Sequence, residues 1–226
     1  MPGNSALPQR CGNSARRLVT SDLWTIVSIG LVQIMAVVSP GPSFLITAQT
    51  AVGRSRLDGV KVALGLGAGT VIWSSAALLG LNVLFHAVPP LFLAMKIFGA
   101  LFLLWIAYKI FTHAEAPLDL AGRDGTGGSP FAKGFLVQIG NPKVVVFFGS
   151  IFVAMLPAFV PTWMAVVLIG LVSFNEVWWY SLVALFFGAG PVRAFYLRAK
   201  AGIDRVVGLF LGAVGLKLLW AAWAEH

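Results

Sequence analysis

Long apolar runs alternate with short polar segments along this chain, and each run is close to or above the length that crosses a bilayer. A transmembrane helix needs about 20 consecutive, mainly apolar residues. The pattern therefore predicts an all-α integral membrane protein with six transmembrane helices. The six runs are Leu23 to Thr50, Val60 to Phe85, Leu91 to Phe111, Phe135 to Val160, Trp163 to Phe187 and Val206 to Trp223.

Two polar segments organise these runs. Residues 1–22 lack the small-residue cleavage pattern of a signal peptide, and we predict that they form an unprocessed, disordered tail. Residues 113–130 contain Gly, Asp, Pro and Ser, which predicts a flexible loop. This loop separates residues 23–112 from residues 131–226 and gives two halves of three helices each.

Ser39-Pro40-Gly41-Pro42 interrupts the first apolar run. Proline has no backbone N–H, so the carbonyls of Ala36 and Val38 lose their helical partners, and the glycine lets the chain bend. In lipid, such a break persists only where protein buries it or where it lines a water-filled cavity. We therefore expect this break to line a site within the membrane.

Gly140-Asn141-Pro142-Lys143 is a second break of this kind, in the fourth run. Pro40 and Pro142 are 102 residues apart, and Lys96 to Gly99 matches Arg205 to Gly208 at an offset of 109. Because each half has an odd number of spans, the second half would enter the membrane from the opposite face. The sequence thus predicts two inverted repeats, although one short match between apolar helices also arises by chance. Paired breaks in two halves indicate the binding site of a transporter.

The composition agrees with a membrane protein. Mean hydropathy is +0.88 and only 11% of the residues are charged, against about 25% in soluble domains. The net charge of +8 does not indicate nucleic-acid binding, because the basic residues cluster between apolar runs. Cys11 is the only cysteine and the three histidines are scattered, so we expect no disulfide, no metal site and no cofactor.

The basic residues also predict the orientation. Ten of them follow the first, third and fifth runs, whereas the connections after the second and fourth runs contain none. The positive-inside rule places these ten residues and the 113–130 loop in the cytoplasm and both termini outside. Three arginines in the tail argue the other way, so a five-span arrangement with the tail inside stays open. The ten residues are Arg54, Arg56, Lys61, Lys109, Arg123, Lys133, Arg193, Arg198, Lys200 and Arg205.

Glu176 is the sharpest candidate for chemistry, since it lies about halfway through the fifth run. A charged residue at the centre of a transmembrane helix costs roughly 2.5–3.5 kcal/mol on insertion scales. Burial of a carboxyl favours its protonated form and a nearby lysine favours the ionised form, so Glu176 is the candidate for proton coupling. The alternative is a structural ion pair or a hydrogen bond to another helix.

Lys143 is the expected partner of Glu176 if the fourth helix begins near Phe135. If the helix begins at Pro142, a favoured first-turn position, Lys143 would reach the cytoplasmic surface instead. Gln33, Gln138 and Asn141 either line the same cavity or hydrogen-bond between helices.

The chain resembles the LysE/RhtB family of amino acid exporters, the homoserine, threonine and lysine efflux type, over about residues 20 to 223. No one motif is decisive, but their order and spacing together are specific. Two positions depart from the family pattern: Thr70 stands where an acidic residue is frequent, and Glu176 stands where Asp is usual. The resemblance is carried by Ser39 to Pro42, Gly65 to Trp73, Lys96, Gly99, Ala100, Leu103, Leu104, Gly140 to Lys143, Phe147-Phe148 and Glu176 to Tyr180.

The resemblance implies a multi-pass protein of the cytoplasmic (inner) membrane that exports amino acids or close derivatives, driven by the proton motive force. Broken helices expose N–H groups suited to a carboxylate and carbonyls suited to an ammonium group, and a zwitterionic amino acid carries both charges. An exporter of metal ions or other small cations is the alternative. An intramembrane enzyme is not expected, because no GxSG motif, mid-span histidine or membrane cysteine is present.

We expect a small amino acid and membrane lipid as partners, and no nucleic acid; whether the chain forms a homo-oligomer stays open. Close helix packing is the favoured role of Gly65 and Gly69. The predicted substrate-binding residues are Gln33, Pro40, Gly41, Pro42, Asn141, Pro142, Lys143, Asn175 and Glu176.

Overall fold

The structure is a computed structural model that describes the backbone of residues 7–87, 89–117, 128–157, 160–187 and 190–224. All regular elements in these ranges are α-helices. They are α1 (Leu7–Val38), α2 (Pro42–Gly53), α3 (Arg56–Ala87), α4 (Pro89–Thr112), α5 (Pro130–Ile139), α6 (Pro142–Met155), α7 (Thr162–Phe186) and α8 (Gly190–Ala224).

Four of these helices are long and apolar enough to cross a membrane: α1 from Thr20, α3, α7 and α8. The pair α5 and α6, which is bent by 60° at its break, makes a fifth span if it is counted as one. The described apolar part of α4, Ile97–Thr112, is shorter than the others. The all-α membrane architecture is therefore confirmed, with four to five of the six predicted spans supported by length and composition.

Both breaks lie where the sequence predicted them. The first separates α1 from α2 and the second separates α5 from α6. In α2 and α6 alike, a proline occupies the first helical turn, where a missing N–H removes no hydrogen bond. The corresponding prolines are thus Pro42 and Pro142, which are 100 residues apart, rather than Pro40 and Pro142.

Two polar segments are more helical than the sequence indicated. The first helix begins at Leu7, so residues 7–22 continue α1 where we predicted a disordered tail. Extending an existing helix avoids the cost of nucleation, and a polar sequence can then stay helical. Likewise, α8 begins at Gly190, which makes the basic connection before the sixth run helical. Most of the predicted 113–130 loop lies outside the described residues.

Glycines set the closest helix contacts, as expected for packing in a membrane. Where α3 crosses α5, a Cβ on Gly65 would lie 2.0 Å from the Phe131 carbonyl oxygen, and one on Gly134 would lie 2.1 Å from the Val62 oxygen. A Cβ on Gly69 would lie 2.7 Å from Gln138 Cβ. The packing role predicted for Gly65 and Gly69 is confirmed, and the contact brings Gln138 to the centre of the protein.

Helix α3 also packs against α7, and α4 packs against both α8 and α6. Gly208 and Gly215 of α8 lie against Ala107 and Leu104 of α4, with no room for a Cβ without movement. The end of α1 and the starts of α2 and α6 line one cavity, where the two breaks meet.

Candidate functional site

The two breaks face one narrow cavity of about 40 Å³, which we call the inner cavity. It lies between α1, α2, α6 and α7, and it combines a polar end with an apolar wall. Six of its lining residues were predicted from the sequence: Gln33, Gly41, Pro42, Asn141, Lys143 and Glu176. The remaining lining residues are Ala36, Val37, Ser39, Ser43, Val144, Phe147, Phe148 and Tyr180.

Glu176 is 4% exposed and both of its carboxyl oxygens accept hydrogen bonds from side-chain amides. Gln33 Nε2 donates to Oε2 at 3.1 Å, and Gln138 Nε2 donates to Oε1 at 2.8 Å. The direct ion pair with Lys143, one of the two alternatives considered for that lysine, does not form, since no described ion pair within 4 Å joins the two side chains. The amides position the carboxyl, and its charge is therefore not cancelled by a direct contact with a cation.

Gln138 connects three helices through one side chain. Its Nε2 also donates to Thr70 Oγ1 of α3 at 2.8 Å, and its Oε1 accepts from Ser43 Oγ of α2 at 2.9 Å. Asn141 Nδ2 in turn lies 3.3 Å from Ser43 Oγ and donates to it. The hydroxyl of Thr70, at the position where the resemblance implies an acidic residue, thus shares a donor with Glu176.

Asn175 supports Gln33 rather than lining the inner cavity. Its Nδ2 donates to Gln33 Oε1 at 2.9 Å and to the Gly30 carbonyl at 3.4 Å. Gln33 Nε2 also donates to the Val172 carbonyl at 3.2 Å. These bonds fix the Gln33 amide with its N–H group towards Glu176, so Asn175 acts through Gln33.

Three carbonyl groups at the end of α1 accept hydrogen bonds from side chains. Two of them, those of Ala36 and Val38, are the ones that the prolines were predicted to leave without partners. Lys143 Nζ donates to Ala36 O at 3.1 Å, and Tyr196 OH donates to Val38 O at 3.3 Å. Tyr180 OH lies 3.5 Å from Val37 O. Elements from the second half of the chain therefore cap the broken helix of the first half.

Lys143 combines features of the two alternatives considered for it. Helix α6 does begin at Pro142, and the Asn141 side chain caps it by accepting the Lys143 N–H at 3.0 Å. Because α5 precedes this start, Lys143 lies between two halves of a bent span and its partly buried ammonium group points to the break in α1. It does not extend to the protein surface.

A second, wider cavity of about 510 Å³ adjoins the inner cavity, and we call it the vestibule. Ser39, Gly41 and Lys143 line both. Pro40 lines the vestibule alone, so the first break faces both cavities. The other vestibule residues are Phe102, Trp105, Ile106, Lys109, Ile110, His113, Ala116, Pro117, Lys200 and Asp204.

A buried ion pair in the wall of the vestibule was missed by sequence reasoning. Lys200 Nζ lies 3.0 Å from Asp204 Oδ2, and the two side chains are 8% and 6% exposed. Asp204 Oδ1 accepts the Ser39 hydroxyl at 3.2 Å, and Lys200 Nζ also donates to the Ala114 carbonyl at 2.8 Å. The sequence signal was an oppositely charged pair four residues apart on a helix, but Lys200 had counted only as a marker of orientation.

Within the described residues, no group of three His, Cys, Asp or Glu side chains is arranged to hold a metal ion. The charged side chains that line the two cavities are those of Lys109, Lys143, Lys200, Glu176 and Asp204.

Comparisons with known proteins agree with this geometry. Residues 34–222 match the family described as LysE type translocator. The chain is 31% identical over 206 residues to the threonine efflux protein of Escherichia coli K12, which covers 87% of this chain and 98% of that protein. It is 30% identical over 202 residues to the threonine efflux protein of Salmonella typhi, with the same coverage.

A leucine efflux protein of Salmonella choleraesuis is 31% identical over 143 residues, which are 61% of this chain and 65% of that protein. No solved structure gives a significant match. The apolar helices and these relatives together establish a multi-pass membrane protein. The family match covers most of the described helices and both breaks, and this chain belongs to the LysE type translocator family.

Proposed function

We propose that this protein exports small neutral amino acids or close derivatives across the cytoplasmic membrane, in exchange for protons and by alternating access. The observation that carries the proposal is the inner cavity, in which an ammonium group, Lys143, and a buried carboxyl group, Glu176, line one space between two broken helices.

The carboxylate end of an amino acid fits beside Lys143. A lysine ammonium group has three N–H donors, and one of them is used by the Ala36 carbonyl. Helices α2 and α6 both begin in the cavity, and helix N-termini favour anions. At α2 the cap is Gly41, which has no side chain to bond the first turn. A substrate carboxylate would supply the missing acceptor.

The ammonium end fits beside Glu176, and the charge balance favours a substrate without a further charge. Lys143 and Glu176 are the basic and the acidic side chain among the described lining residues, so a zwitterion would leave the cavity neutral overall when both are ionised. A basic side chain would need another carboxylate, whereas Thr70 stands at the position where the resemblance implies an acid. The efflux of threonine and leucine named for the relatives is in line with this class.

Proton coupling is assigned to Glu176, because it is a buried carboxyl in contact with the proposed substrate site. Binding of the substrate ammonium group favours the ionised carboxylate, and a proton taken up after release would return it to the neutral state. The substrate ammonium group and the proton would then bind Glu176 in turn, as exchange of one for the other requires.

Alternating access is supported by the arrangement of two halves. Pro42 and Pro142 begin equivalent half-helices, which is the signature of inverted repeats around a central site. If the pair α5 and α6 counts as one span and α4 as another, the protein has six spans together with α1, α3, α7 and α8. The vestibule opens beside Lys109 and His113, on the side that the positive-inside rule assigns to the cytoplasm. The structure would then represent the state that loads from the cytoplasm.

The test measures release of all twenty amino acids from cells fed with dipeptides, with an empty vector as the control. Selective release of one or a few neutral amino acids is expected, and a flat profile from cells with the protein in the membrane would contradict the proposal. In Glu176→Gln, release should fall to the vector level while membrane insertion is retained. Glu115→Gln is the matched control, because that carboxylate is 76% exposed and pairs with Arg205 at the surface.

A further inference from the structure

The buried carboxylate of Asp204 is a second acidic group on the path to the inner cavity. It is 4% exposed, it lines the vestibule, and its partner Ser39 lines both cavities. The sequence pattern and the family resemblance did not single it out. Its place next to the first break suggests a role beyond an ion pair with Lys200.

Lys143 lies where the two cavities join, because it lines both of them. On the inner side the facing carboxyl is Glu176, and on the vestibule side it is Asp204. Each cavity therefore offers one carboxylate together with the same ammonium group. A zwitterion can contact both groups in either place, but in the vestibule it shares Asp204 with Lys200, and Lys109 lines the same cavity.

Asp204 has acceptor capacity left for a ligand. An ionised carboxylate offers about four lone-pair sites, and the described bonds to Asp204 come from the Ser39 hydroxyl and the Lys200 ammonium group. Lys200 is itself held at a fixed place by the Ala114 carbonyl, 2.8 Å away. The Asp204 carboxylate is thus held in a fixed position facing the vestibule. A buried charge carries a desolvation cost, and packing alone would not require one.

We propose that the vestibule contains a loading site for the zwitterionic amino acid, in which Asp204 accepts the substrate ammonium group while Lys143 binds the substrate carboxylate. From this site the substrate passes into the inner cavity by exchanging Asp204 for Glu176, with its carboxylate anchored on Lys143 throughout. This inference rests on the proposed export function and adds a specific first binding step on the cytoplasmic side.

The experiment uses inside-out membrane vesicles, in which the cytoplasmic face is exposed and the concentration of radiolabelled threonine or leucine can be set. For Asp204→Asn we expect KM to rise about ten- to hundredfold, the cost of losing a charge-assisted hydrogen bond. The maximal rate per amount of folded protein in the membrane should change much less than KM, since Glu176 is intact. An unchanged KM in vesicles that show wild-type transport would overturn the loading site and leave the export function standing.

Removal of Asp204 alone leaves Lys200 buried without its counter-ion, which is strongly destabilising. The double variant Asp204→Asn/Lys200→Gln avoids this, because it removes both charges. If Asp204 binds substrate, the double variant keeps the raised KM. If the double variant recovers the wild-type KM, Asp204 serves only its ion pair and the proposal is refuted.

A binding measurement separates the two sites and does not depend on transport. Purified Glu176→Gln should still bind threonine or leucine at equilibrium, because the loading site is intact, although it does not export. Adding Asp204→Asn/Lys200→Gln to this variant should abolish the remaining binding. Complete loss of binding in Glu176→Gln alone would mean that the inner cavity is the single site.

Discussion

A substitution at the tightest helix crossing tests whether the geometry around Gln138 controls transport. Gly65→Ala adds a Cβ to α3 that would lie 2.0 Å from the Phe131 carbonyl oxygen of α5. Carbon and oxygen atoms in close contact are about 3.3 Å apart, so α5 must move away from α3 by about 1.3 Å. The atoms that the new Cβ meets belong to the backbone of α5, so no change of a side-chain rotamer relieves the clash.

The displacement acts directly on the bonds that Gln138 makes from α5. Its 2.8 Å contacts with Thr70 and Glu176 would lengthen to about 4 Å, beyond hydrogen-bond distance. Overpacking costs typically 1–3 kcal/mol, which is partly offset because alanine favours a helix over glycine by about 1 kcal/mol. We therefore expect a protein that still inserts but transports poorly.

Gly80→Ala is the matched control, since it lies on the same helix and its added Cβ meets no atom within 4 Å. The assay compares amino acid release, the amount of protein in the membrane and the thermal unfolding midpoint of the purified protein. Gly80→Ala should match the wild type or be slightly more stable, while Gly65→Ala should lose most of its release. Wild-type release from Gly65→Ala would refute the link between this crossing and the site.

Two further substitutions probe individual hydrogen bonds. Gln138→Leu should insert normally but reduce release at least tenfold, because Glu176 loses its 2.8 Å donor; release equal to that of the wild type would exclude Gln138 as a positioning residue. Tyr196→Phe should keep the stacking on Phe44, where the ring centroids are 4.9 Å apart. It should lose the hydrogen bond to the Val38 carbonyl, which lowers the free energy of unfolding by about 1 kcal/mol. Urea or thermal unfolding of the two proteins measures this difference, and equal stabilities would show that the Val38 cap contributes nothing.

The parts of the fold that could be predicted from the sequence depend on covalent structure or on composition. Pro42 and Pro142 cannot donate a backbone hydrogen bond wherever they occur, so both helix breaks followed from the sequence. Glu176 stood out because a charged residue is rare within an apolar run. These signals are local, and they need no knowledge of which helices are neighbours.

The parts that could not be predicted depend on how distant helices meet. Gln138 reaches Thr70 and Glu176, 68 and 38 residues away, only because glycines let α3 and α5 approach closely. Asp204 and Ser39 are 165 residues apart in the chain. Sequence reasoning left open whether Lys143 pairs with Glu176, whereas the packing places the neutral amides of Gln33 and Gln138 next to the carboxyl.

The capping of α1 changes which groups are expected to recognise the substrate. From the sequence, the carbonyls freed by the prolines were candidates for binding an ammonium group. In the structure, Ala36 and Val38 already accept hydrogen bonds from Lys143 and Tyr196, so these carbonyls hold the protein's own donors in place. In the proposed function, recognition of the substrate ammonium group then falls to carboxylates. The prolines contribute indirectly, because the first break frees the Ala36 carbonyl, which holds Lys143 at the junction of both cavities. Shortening of Lys143 should for this reason weaken capping and substrate binding together, whereas Glu176→Gln should leave the capping of α1 intact.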